Sequence, residues 1–146
     1  MGYTMSMLTF VPVQNSEEHF TLFLELERQF YQHYTKVGVG DQYGRLTFDQ
    51  IPVELTREEF DRYISGDDHP ESYFIFAFDG DTCVGYCNGW IKNKSGWYRM
   101  REIAHLESLI VDAQHRGKGY SSAMAEDFFA WARAKGVIIC QLEVWA

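Results

Sequence analysis

The sequence predicts a single α/β (α+β) domain on a mixed, mostly antiparallel central sheet, and three observations lead there. Two strand-like runs, 73–78 and 82–91, flank Asp79-Gly80-Asp81, and Asp-Gly between β-rich runs marks an antiparallel hairpin. A strand-like run ending at Val111, a glycine loop, a helical stretch from Tyr120 and a last apolar run then form a β-α-β unit. The 146 residues suit one domain spanning 1–146, and 46% apolar content with eleven Phe, nine Tyr and four Trp supplies its core.

Each element has its own signal. Residues 8–13, Leu-Thr-Phe-Val-Pro-Val, are β-rich and alternate, giving a first strand. Asn15 or Ser16 can cap a helix with Glu17 and Glu18 in its first turn, where the dipole favours them. Its apolar stripe of Phe20, Phe23, Leu24, Leu26, Phe30 and Tyr34 carries it to about Tyr34. Residues 36–53 are rich in glycine and read as a loop. Thr56 and Glu59 have capping-box spacing for a short helix buried through Phe60, Tyr63 and Ile64 and stopped by Gly66. After the hairpin, Asn93-Lys94-Ser95-Gly96 marks a turn, 101–111 a long strand, 120–135 a helix stopped by Gly136, and 137–145 a last strand. The order is β-α-α-β-β-β-α-β, with a right-handed crossover expected in the final unit. Tyr120, Met124, Phe128 and Trp131 recur at helical spacing and are assigned to the core.

Composition excludes several classes. A net charge of −8 argues against a nonspecific nucleic-acid surface, which needs clustered Lys and Arg. The charge is uneven: residues 1–91 carry 15 acidic and 5 basic side chains, residues 92–146 carry 6 and 8. The acidic part suits a cationic partner and the rest tolerates a polyanion, the alternative being a merely solvated acidic surface. No run reaches the roughly 18 apolar residues of a membrane span, and no secretory leader is evident, so a cytoplasmic protein is expected. Cys83, Cys87 and Cys140 lack zinc spacing and read as reduced core thiols, so no metal is expected. Cys83 and Cys87, four apart in one strand, should share a face.

The stretch Gln114-His115-Arg116-Gly117-Lys118-Gly119 lies between a strand end and a helix start. That arrangement binds phosphate. Gly117 and Gly119 let a ligand approach the backbone, and the successive N–H groups of residues 116–121, Tyr120 and Ser121 included, open the helix. The helix dipole, Arg116 and Lys118 add positive charge there. A P-loop would need Ser or Thr after Lys118, where Gly119 stands, and the dinucleotide fingerprint would need a glycine where Ser122 stands.

With these flanks, Gln114, Gly117 and Gly119 match the Gln/Arg-x-x-Gly-x-Gly/Ala signature, and the stretch resembles the GCN5-related N-acetyltransferase (GNAT) superfamily. The whole element order is similar to that acyl-CoA N-acyltransferase-like fold. The resemblance implies an acetyl-CoA-dependent N-acetyltransferase. It also implies that the loop amides of residues 116–121 hold the coenzyme A pyrophosphate, while the backbone of Leu109, Ile110 and Val111 bonds the pantetheine arm.

Acetyl transfer to an amine needs a base to remove the ammonium proton. The Glu-x-Leu-x-Val run from Glu107 to Val111 is similar to that of family members in which this Glu is a water-linked base, so Glu107 is the catalytic candidate. The alternative is a solvent-facing strand carboxylate. An amide near residues 109–111 could polarise the thioester carbonyl. His105 shares the face of Glu107 and is read as structural, and His115 as a solvated loop residue. Substrate choice is assigned to the first two helices and the 36–53 loop. There Glu25, Glu27, Asp41 and Asp49 lie among Tyr31, Tyr34, Tyr43 and Phe48, which suits a small cationic amine.

The family usually continues past its fifth strand with Asn-x-x-Ala and a helix whose Tyr protonates the departing thiolate, whereas this sequence ends Glu143-Val144-Trp145-Ala146. The expectation is therefore twofold: a shortened acceptor wall without the usual acid, and an apolar 137–145 strand that drives homodimerisation. An acetyl-CoA-binding module without turnover is the second reading, and an inactive fragment the third.

Overall fold

The computed structural model describes residues 8–36, 52–66, 69, 71–93 and 102–142. The expected order is found: β1 (Leu8–Pro12), α1 (Glu17–Lys36), α2 (Val53–Ser65), β2 (Ser72–Asp79), β3 (Thr82–Asn93), β4 (Glu102–Val111), a 3-10 turn (Ala113–His115), α3 (Tyr120–Ala134) and β5 (Cys140–Leu142). The sheet runs β1-β2-β3-β4-β5, antiparallel through β4 and parallel between β4 and β5. Among the described residues, no helix is long and apolar enough to cross a membrane.

Strand β2 reads Tyr-Phe-Ile-Phe-Ala-Phe because both of its faces are covered, as a strand inside a three-layer arrangement must be. Tyr73, Ile75 and Ala77 join Met124, Phe128 and Ala132 of α3, while Phe74 and Phe76 join Phe20, Phe23 and Leu26 of α1 and Phe60 of α2. At the start of α1, Ser16 Oγ accepts from His19 N at 3.1 Å, fulfilling the expected cap, and the helix runs on to Lys36.

Three local expectations are corrected. Thr56 does not cap α2: the helix starts three residues earlier, behind Pro52, and buried Thr56 bonds the Pro52 carbonyl through both N (3.1 Å) and Oγ1 (3.0 Å). A hydroxyl within one turn of a carbonyl bonds back along the helix, and Glu59 is taken instead by the Tyr63 hydroxyl at 2.5 Å. The last strand is shorter at its start than 137–145. Val137 N still bonds Ala132 O at 3.0 Å, closing the end of α3; bonding to the sheet begins at the Ile139 carbonyl, which accepts from Ala104 N at 2.9 Å, and the described strand is Cys140–Leu142. Residues 143–146 lie outside the described residues.

The third correction concerns Cys83 and Cys87. Phe78 pairs with Cys83 and Ala77 with Gly85, so Val84 is an extra residue and the alternation slips by one. Cys83 packs with the α1–α2 cluster and Cys87 with the α3 cluster, on opposite faces of the sheet, and Cys140 is exposed on β5 rather than in the core.

Candidate active site

The glycine loop is held from both ends. Asp112, which begins the 3-10 turn, accepts from Gln114 N through Oδ1 at 2.9 Å and from Gln29 Nε2 through Oδ2 at 3.0 Å. Gln29 Oε1 accepts in turn from Ala113 N at 2.9 Å, so one α1 side chain clamps the strand end. Beyond the loop, the Tyr120 hydroxyl donates to Asp79 Oδ2 at 2.5 Å and pins the start of α3 to the β2–β3 hairpin. Between these anchors Gly117 and Gly119 take φ of 80° and 79°, the left-handed region that only glycine enters freely. A Cβ at either would meet no atom within 4 Å, so the loop presents an open face.

That face lines a cavity of about 350 Å³ with Leu109, Ile110 and Val111 of β4, His115 and Arg116 of the loop, Tyr120 and Ser121 of α3, and Phe30 of α1. Main-chain geometry singles out two of the β4 residues. Asp112 N bonds Val84 O at 2.7 Å, and alternation along an antiparallel ladder then directs Ile110 to β3 as well. The main-chain groups of Leu109 and Val111 face the other edge, where described β5 pairs only with Ala104, His105 and Leu106.

A second cavity, of about 280 Å³, lies between α2, β3 and the middle of β4, and a second bulge creates its wall. Asn88 pairs with Ser108 and Gly89 with Leu106, which leaves Glu107 as the extra residue. Glu107 lines this cavity, and its Oε2 lies 2.7 Å from Nε2 of buried His105. The His105 ring packs 5.2 Å from Trp90, which faces α2 beside Tyr63. Residues 107–111 thus run from one cavity to the other.

The acetyltransferase (GNAT) family model matches residues 22–146. The chain belongs to the GNAT acetyltransferase family. No curated protein matches its sequence. Solved structures do share its fold. The tetramutant of the BH1408 protein from Bacillus halodurans superposes with a TM-score of 0.73 at 18% identity, over 95% of this chain and 83% of that one. Aminoglycoside N-acetyltransferase AAC(6')-Iy in complex with CoA gives 0.66 at 12% identity, over 95% and 78%. A predicted acetyltransferase with acetyl-CoA from Clostridium acetobutylicum gives 0.65 at 8% identity, over 94% and 81%.

The GNAT fold brings most of the residues singled out in the sequence to the two cavities, with exceptions. Gln114 and Lys118 are exposed and line neither; Lys118 Nζ lies 3.5 Å from His115 Nδ1. His115 is half-buried rather than solvated, its ring 6.4 Å from that of Tyr120. Trp131 is only partly buried, and Ala132 takes the innermost place of that turn. Of the acidic residues assigned to substrate choice, exposed Glu25 pairs with Arg28 at 3.0 Å. Asp41, Tyr43, Phe48 and Asp49, with the Tyr34 side chain, lie outside the described residues.

Glu27 points inward instead. It is 5% exposed and accepts from the hydroxyl of fully buried Tyr86. Burial pushes its carboxyl up to about 7; the Tyr86 bond opposes the shift and neighbouring Glu59 adds to it. Burial also raises the Tyr63 hydroxyl, as do Glu59, Glu107 and Glu27 around it. This GNAT domain thus gathers three carboxylates about one phenol beside the second cavity. Sequence reasoning missed Glu59 and Tyr63 of α2 and Asn88 and Trp90 of β3, two pairs that meet across the cavity and share no motif.

Proposed function

We propose that this protein transfers an acetyl group from acetyl-CoA to the amine of a small cationic acceptor. One observation carries the reading: a single stretch of β4 lines both cavities, with Glu107 in one and Leu109 to Val111 beside the glycine loop in the other. The donor cavity fits coenzyme A. Its glycines leave the loop face open, Arg116 brings positive charge, and Ser121 lies in the first turn of α3, where helix amides face outward. Bound acetyl-CoA supplies a thioester acetyl group, which a neutral amine takes with release of the thiol.

The acceptor occupies the cavity beside α2, where Glu59 and Glu107 favour an ammonium ion and the rings of Tyr63 and Trp90 cover its carbon chain. Glu107 receives the ammonium proton, directly or through water, and His105 Nε2 fixes the orientation of its carboxylate. Three free cysteines support a reducing, cytoplasmic setting. Exposed Ile138, Ile139 and Leu142 support a homodimer formed through the β5 edge.

Calorimetric titration with acetyl-CoA tests the donor half, and absence of binding at millimolar concentration would refute it. Thiol release with polyamines, peptide N-termini and aminoglycosides tests the acceptor half; aminoglycosides belong there because one structural neighbour is an aminoglycoside N-acetyltransferase. Donor binding with no turnover on any amine would instead make this a binding module.

A further inference from the structure

The wall between Tyr86 and Trp90 carries an unmet polar atom. Asn88 is 1% exposed, and no donor among the described residues reaches its Oδ1. Buried amide oxygens are almost always bonded, so an orphan one is either filled by a water or kept for a ligand. Asn88 lines the same cavity as Glu59 and Glu107; Oδ1 itself is closed to solvent, so a turn of the amide about χ2 is what presents it to an occupant. Register puts it at the bulge: Asn88 pairs with Ser108, the neighbour of the extra residue Glu107, and both Asn88 and Glu107 project to the α2 side.

An amide oxygen accepts hydrogen bonds and does not donate them, and the two carboxylates set a negative potential around it. The group that satisfies both conditions is an ammonium or amine N–H. Arg62 also lines the cavity, but it lies in the last turn of α2 and is exposed.

We infer that Asn88 Oδ1 accepts an N–H of the acceptor's reacting nitrogen, so that Asn88 positions this nitrogen against Glu107 and selects amines that retain an N–H. The inference rests on the cavity beside α2 being the acceptor site. It assigns a specificity-determining role to a residue on β3, outside the glycine loop and the Glu107 motif. Charge alone would hold any cation of the right size. A directed acceptor distinguishes a primary ammonium from a quaternary one.

The test uses CoA-loaded wild type, Asn88→Leu and Asn88→Ala, each first shown to melt cooperatively and to bind CoA as wild type does. n-Butylammonium and butyltrimethylammonium are titrated into each, with binding followed by NMR at the tryptophan indole and side-chain amide resonances. Wild type should prefer n-butylammonium about tenfold or more, the factor expected for one hydrogen bond to a charged donor, and both variants should lose that preference. Selectivity unchanged in a folded variant overturns the inference, because it would mean that a water or nothing meets Oδ1. No preference in wild type, or no n-butylammonium binding at all, overturns it too. If Asn88→Leu does not fold, Asn88→Ala and the wild-type comparison still decide. Turnover does not enter these measurements, so failure of acetyl transfer is recorded separately from failure of the Asn88 role. Where an acceptor is turned over, Asn88→Leu should raise its KM while leaving the KM for acetyl-CoA unchanged.

Discussion

Glu107 and Glu27 are two carboxylates with opposite environments. Glu107 faces a cavity with its Oε2 held by His105, and Glu107→Gln should lower kcat by about a hundredfold or more with little change in CoA affinity, measured by thiol release and calorimetry. Unchanged turnover would remove Glu107 from the chemistry. Glu27 should show itself in stability. Its folded-state carboxyl keeps a proton up to about 7, against an ordinary 4.5, so between those values the native state binds more protons than the unfolded chain. The stability present below pH 4.5 is lost as pH rises through 7, by roughly 3 kcal/mol. Thermal melts from pH 5 to 8 should show this decline in wild type and a flatter profile in Glu27→Gln. Glu107 was legible in the sequence because its neighbours to Val111 form a local pattern. The inward turn of Glu27 was not, because the Tyr86 that receives it stands 59 residues away.

The elements owe their function to irregularities that periodic reading passes over. Each of the two bulges adds one residue to a strand, and each reverses which face the following side chains take. Strand boundaries follow from the sequence within a few residues, yet simple alternation puts Cys83 and Cys87 on one face, since nothing in the composition of residues 82–91 announces the extra Val84. The second bulge lies where two strands meet closely. A Cβ on Gly89 would stand 2.4 Å from His105 O and 2.6 Å from the Phe128 ring, so Gly89→Ala should cost about 1–3 kcal/mol in denaturant melts. Gly117 presents the reverse case, because its Cβ position is empty and only its backbone angle resists substitution. Gly117→Val should cost about 1–2 kcal/mol of stability. Its CoA affinity should fall about tenfold or more, as when a hydrogen bond to a charged group is lost. Equal effects on folding and on CoA binding would separate the loop from the donor site.

At the scale of the molecule, two cores share one sheet: α3 closes one face, α1 and α2 the other, and the two cavities open where β4 passes between these regions. The mixed sheet could be read from the hairpin and the β-α-β unit. The acceptor wall could not, because Glu59, Asn88 and Trp90 meet only after α2 settles on the sheet. If association follows the exposed Ile138, Ile139 and Leu142, light scattering across micromolar concentrations should give twice the monomer mass, and Leu142→Lys should return it to the monomer. The clamp of Gln29 on Asp112 and Ala113 ties helix α1 to the strand end that opens the donor loop. Helix α1 places Phe30 in the cavity of that loop and Glu27 near Tyr63 of the other cavity, so both cavities rest on one helix. Whatever stiffens the loop therefore also restrains the helix on which Tyr63 of the second cavity rests through Phe23.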